Sequence, residues 1–233
     1  MSNSEQFYAT VISELLAGDI PFMIGGSYAL MEHLHMKRAV KDLDIVCKPA
    51  DAKRLLALAR KRGFKTELTY KGWLGKIFNA DHYIDIIFRT SNGRVEMEDS
   101  GFRHGIRTIL FGLPITLLAP EEVMIHKMYV FSRDCYHGHD IYKLIHTLGA
   151  TLDWTRVWRT MERDWQVLHA HTVLFDFVYP QDVIQIPEWI RQKIAEKEKQ
   201  KIRTKVICRG NMLSLVDYPR KGSPKLHNHP LEK

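Results

Sequence analysis

Three aspartates and a glycine turn carry the chemistry open to this chain. Asp42-Leu43-Asp44 lies within an apolar run that ends at Cys47, and Asp85 stands between Ile84 and Ile86 in a second run, 83–89. Alternate residues of a strand project from one face, so Asp42 and Asp44 leave their strand side by side. Carboxylates are disfavoured in apolar strands unless paired or metal-bound, and hard divalent cations take clustered carboxylate oxygens. Gly25-Gly26-Ser27 stands between a short apolar run and a helix-length segment. Glycine lets the backbone approach a ligand, the free N–H groups of a helix N-terminus favour phosphate, and Ser27 adds a hydroxyl. The combination is that of a divalent cation–nucleoside triphosphate site. It is not a Walker A loop, because no Gly-Lys-Ser/Thr follows, and it lacks the third glycine of a dinucleotide fingerprint.

The elements that must position these residues follow from periodicity. Phe7, Val11 and Leu15 predict a helix over 5–17, and 21–24 is a short strand stopping at the double glycine. A helix over 27–35, a strand over 42–47 and a strong helix over 51–62 follow, the last ending at Gly63. Residues 64–70 alternate like a strand, 73–78 can return beside it, and 83–89 forms a third, followed by an Asn92-Gly93 turn. After Pro120 the pattern becomes helical, over 120–133, 139–148, 153–164 and 165–178. Mixed strands and helices giving way to helices alone predict an α/β (α+β) chain, with a mixed-sheet core over 1–118 and a helical domain over 119–195. Residues 196–233 form a basic tail.

Charge supports that division. The chain of 233 residues carries +7, but 12 Lys/Arg against 4 Asp/Glu from Arg191 onward leave residues 1–190 at −1. Such a tail can attract nucleic acid or another polyanion. No apolar run approaches the length of a membrane span. The N-terminus carries Glu5 among polar residues, unlike a secretory signal. Cys47, Cys135 and Cys208 are scattered without a CxxC pair and read as reduced thiols of a cytoplasmic protein. Cys135, His137 and His139 lack structural-zinc spacing and read as loop residues.

"GGSYAL", a basic segment, "DLDIV" and "YIDII" together resemble the nucleotidyltransferase fold of the polymerase-beta type, in its minimal bacterial branch. Arg38, Asp42, Asp44 and Asp85 match the family's Arg, its paired aspartates and its lone later aspartate; Val40 stands where Thr is usual, removing a hydroxyl. The segment from Leu117 to Ile145 is similar to the helical part of abortive-infection toxin-type nucleotidyltransferases, with Lys127, Arg133 and Asp140 at its signature positions. The resemblance covers roughly 20–190 and excludes the tail.

It implies transfer of a nucleoside monophosphate from an NTP such as ATP to an acceptor, with release of pyrophosphate. Asp42 and Asp44 would hold Mg2+ or Mn2+ on the triphosphate, and with Asp85 a second ion near the attacking hydroxyl. Asp85 could also take the acceptor proton. Gly25, Gly26 and Ser27 would cradle phosphates beside Arg38, with Lys127, Lys76 and Arg133 neutralising charge. Asp140 is either a base or the residue that orients Arg133. The acceptor is an RNA end, a protein hydroxyl or a small molecule, and a toxin-antitoxin-like cognate protein partner is implied, with no membrane role. The rivals are a catalytically degenerate protein of the same fold, binding nucleotide or a partner, and a non-catalytic RNA-binding protein. Retention of all three aspartates argues against the first. RNA binding indifferent to their loss would favour the second.

Overall fold

The computed structural model describes residues 2–80, 82–132 and 135–200; Arg133 and the tail beyond 200 lie outside the described residues. Helix α1 (Asn3–Leu16) begins earlier than periodicity alone predicts, because Ser2 and Glu5 form a reciprocal cap. Ser2 Oγ accepts from the Glu5 N–H at 3.2 Å and Glu5 Oε2 from the Ser2 N–H at 2.8 Å, satisfying two otherwise unpaired helix donors. Strand β1 (Met23–Ile24) runs into α2 (Gly26–His33), then β2 (Leu43–Val46) leads to α3 (Pro49–Lys61). Strands β3 (Lys65–Tyr70), β4 (Leu74–Asn79) and β5 (His82–Ile87) form an antiparallel meander.

The short helix α4 (Asp99–Arg103) and the hairpin β6 (Ile106–Leu110)–β7 (Leu113–Leu117) were not among the expected elements. Phe111 and Gly112 turn the hairpin with φ of 53° and 78°. Two left-handed residues suit a type I′ turn, but Phe-Gly lacks the Asn-Gly signal that announces one.

Among the described residues seven strands make one mixed sheet, ordered β3-β4-β5-β2-β1-β7-β6. Strand β1 is antiparallel to β2 and parallel to β7, while β2 is parallel to β5. The α/β core with a helical C-terminal part agrees with the fold class expected.

The helical part comprises α5 (Pro120–Met128), α6 (Gly138–Leu148), α7 (Trp154–Met161), α8 (Trp165–Val178) and α9 (Glu188–Lys199). The helix expected over 120–133 stops at Met128, and a strand pair, β8 (Phe131–Ser132) and β9 (Cys135–Tyr136), follows it. Tertiary donors take its last carbonyls. His171 Nε2 lies 3.3 Å from the Met128 oxygen, and Asn92 Nδ2 donates to the Tyr129 oxygen at 2.9 Å. Helix ends leave such acceptors open. One apolar cluster, from Phe7 to Ile194, joins the sheet and helices. No helix among the described residues is long and apolar enough to cross a membrane.

Candidate active site

Parallel pairing of β2 with β5 sets Asp44 directly opposite Asp85. Both therefore leave the same face of the sheet, and Asp42, two residues before Asp44, leaves it too. Beside them β1 ends at the glycine turn, where the Gly25 N–H donates to the Asp44 carbonyl at 2.9 Å. Gly26 has φ +54°, and a Cβ built there would lie 1.6 Å from Asp44 Oδ2. Only glycine permits this approach. The N-terminus of α2 is thereby pressed against the Asp44 carboxylate, which accepts from the Ser27 backbone.

The electrostatics follow from crowding. Burial, then the charges of Asp42 and Asp85, push Asp44 up from 3.8 to about 7, against the pull of Lys127 and the Ser27 N–H. Burial also raises Asp85, opposed by Lys76, whose Nζ donates to Asp85 Oδ1 at 2.6 Å. Tyr83, two residues before Asp85 and on its face, donates from its hydroxyl to Asp42 Oδ2 at 3.2 Å. Tyr83 was not singled out in the sequence, although the period of two that places Asp85 places it as well.

A second cluster lies across the helical part. Asp140, near the start of α6, accepts from Arg38 Nη1 at 2.5 Å and Nη2 at 2.9 Å, and from Lys127 Nζ on α5 at 2.8 Å. Arg38 Nη2 also donates to Ser27 Oγ at 2.9 Å, linking this cluster to the glycine turn. Burial alone would raise Asp140, but hydrogen bonds from Arg38 and Lys127 outweigh it and hold the carboxyl at about 2. His137, the residue before α6, is lowered to about 4 by burial and then by the nearby Lys127 charge.

The structure thus brings Asp42, Asp44, Asp85, Gly25, Gly26, Ser27, Arg38, Lys76, Lys127 and Asp140 into two linked clusters. Lys76, expected to neutralise phosphate charge, is engaged by Asp85. Asp140, expected to act as a base or to orient Arg133, holds Arg38 and Lys127; Arg133 lies outside the described residues. Cys135 Sγ lies 3.4 Å from His137 Nε2. As the side chains stand, no three His, Cys, Asp or Glu residues close into a ligand set among the described residues. The pair Asp42 and Asp44 nevertheless suits a hard divalent cation: adjacent oxygens whose mutual repulsion such an ion would relieve.

The crystal structure of ANT(2″)-Ia in complex with adenylyl-2″-tobramycin superposes with a TM-score of 0.50 at 17% identity, over 70% of this chain and 99% of that one. The chain has the nucleotidyltransferase fold. The solution structure of the antibiotic-resistance factor ANT(2″)-Ia matches at TM-score 0.48 and 18% identity, over 72% of this chain and 97% of that one. The lincosamide antibiotic adenylyltransferase LnuA, bound to lincomycin, matches at TM-score 0.43 and 14% identity, over 62% of this chain and 96% of that one. No family model matches the chain, and no curated protein sequence does.

Proposed function

We propose that this protein is a divalent-cation-dependent nucleotidyltransferase, moving a nucleoside monophosphate from an NTP such as ATP to an acceptor hydroxyl and releasing pyrophosphate. One observation carries the reading: Asp44 and Asp85 are paired across two parallel strands, with Gly26 packed against Asp44.

Asp42 and Asp44 would hold Mg2+ or Mn2+, which when bound offsets charge on the triphosphate and polarises its α-phosphate. Gly25, Gly26 and Ser27 present the α2 N-terminus to phosphate oxygens. Arg38 and Lys127, held by Asp140, supply positive charge on the leaving pyrophosphate side. Asp85 accepts the proton of the acceptor hydroxyl as that oxygen attacks the α-phosphorus. In this reading residues 1–118 provide the chemistry, 119–195 contribute Lys127 and the Asp140 that holds it with Arg38, and the basic 196–233 segment serves acceptor capture. The tail's charge supports an RNA or other polyanionic acceptor.

The test is label transfer from α-phosphate-labelled NTPs, with Mg2+ or Mn2+, to RNA, protein and small hydroxylated acceptors offered separately. Wild-type protein should label one class, and Asp44→Asn none. Equal labelling by Asp44→Asn, or no transfer to any class, counts against the proposal.

A further inference from the structure

Asp85 sits in a row of charges that crosses four strands. Register places Glu67 on β3 opposite Lys76 on β4, Lys76 opposite Asp85 on β5, and Asp85 opposite Asp44 on β2. All four side chains therefore leave one face, reading minus, plus, minus, minus from edge to centre. Lys76 has a carboxylate on either side and is bonded to the inner one, its Nζ 2.6 Å from Asp85 Oδ1. Glu67, the outer one, is exposed.

The pair is half-enclosed, with side chains 20% and 14% exposed for Lys76 and Asp85. The ammonium is further held 3.9 Å above the centre of the Tyr83 ring, whose hydroxyl reaches Asp42. Ring and cation attract one another through the electron-rich face. Lys76 is thus fixed by strand register, a short hydrogen bond and an aromatic face.

A two-metal site sets its ions about 3.5–4 Å apart, bridged by carboxylates that each ion shares. Here Asp85 would have to serve the second ion, on the acceptor side. We propose that Lys76 is that second cation, so that the site takes one divalent ion, on Asp42 and Asp44, and Asp85 takes none. This rests on the transferase reading above and refines it.

Lys76 is then a positioning residue. By occupying Oδ1 it aims the other oxygen of Asp85 at the acceptor. The acceptor hydroxyl gives its proton to that oxygen as its own oxygen bonds to the α-phosphorus. The bridging bond from the α-phosphorus breaks, and pyrophosphate leaves with the electron pair. No second dication is needed to lower the charge on Asp85.

The experiment counts Mn2+ by titration and electron paramagnetic resonance on the full chain with α,β-methylene ATP, an analogue that cannot transfer. Wild-type protein should bind one Mn2+ per protein–analogue complex, with no exchange coupling between ions. Lys76→Met, which keeps length but not charge, should take up a second Mn2+ and show the coupled spectrum, whereas Lys76→Arg should stay at one. Two coupled ions in wild-type protein overturn the inference while leaving the transferase reading intact. So does a folded Lys76→Met that stays at one ion. If Lys76→Met does not fold, the wild-type count decides. Failure of the α,β-methylene analogues of all four NTPs to bind with Mn2+ refutes the transferase reading, and the inference falls with it.

Discussion

Replacing Asp140 by asparagine removes one negative charge from a point where two cations converge. Arg38 donates twice to Asp140, at 2.5 and 2.9 Å, and Lys127 once, at 2.8 Å. Asparagine keeps the shape but offers one neutral acceptor. The two cations then fare differently. The Arg38 side chain is 29% exposed and can turn to water, whereas Lys127, at 9%, cannot. An exposed pair is worth about 0–1 kcal/mol, but stranding a buried charge costs about 3–5 kcal/mol. Lys127 therefore dominates, and Asp140→Asn should lose about 3–5 kcal/mol, a fall in Tm of roughly 6–20 °C for a protein of this size. Adding Lys127→Met to Asp140→Asn removes the stranded ammonium and should recover most of that loss, while adding Arg38→Met should not. Thermal unfolding of these variants by circular dichroism measures the effect. The pH dependence gives a second reading. Asp140 is held at about 2, below its ordinary 3.8, so its contribution is complete above about pH 4 and lost as pH falls toward 2. Acid unfolding of Asp140→Asn should be shallower in that window. An Asp140→Asn Tm within about 2 °C of wild type, or no recovery on adding Lys127→Met, would show that the cluster is not the buried triad its distances describe.

Three further outcomes are expected. Gly26→Ala and Gly63→Ala both place a Cβ in a left-handed conformation and should each cost at least about 1 kcal/mol, but only the Cβ at Gly26 meets Asp44, whereas Gly63 has open space, so Gly26→Ala should depress transfer far more. Urea unfolding with parallel transfer assays compares the two. Asp44→Asn relieves repulsion among three carboxylates, so in EDTA its Tm should equal or exceed wild type. The rise in Tm that Mg2+ and NTP give together should vanish, as scanning fluorimetry can read. Burial holds His126 at about 4, below its ordinary 6.5, with Nε2 buried and lacking a partner among the described residues. The unfolded chain then binds protons that the folded one refuses, so stability should fall as pH drops from about 6.5 to 4. In His126→Leu the slope of unfolding free energy over that window should flatten, and an unchanged slope would assign the effect to other histidines.

The sequence alone determined what is local. A period of two put Asp42 and Asp44 on one face, and apolar neighbours made Asp85 conspicuous. Gly25-Gly26 punctuated the step from strand to helix, and helices over 51–62 and 165–178 were legible from spacing and stops. The β6–β7 hairpin was not, because its turn is Phe111-Gly112 and Pro114 interrupts its second strand. The end of α5 was hidden too, since donors from Asn92 and His171, distant in sequence, set it. Only the tertiary structure decided which strands are neighbours, and with that which charges meet. Parallel pairing of β2 with β5 set Asp44 against Asp85, and register set Lys76 beside Asp85. Packing of α5 and α6 brought Lys127 and Asp140 onto Arg38, whose partner Asp140 is 102 residues away. Side-chain periodicity is a property of each strand or helix by itself. The choice of partner depends on burying all their apolar faces at once, which no local pattern encodes.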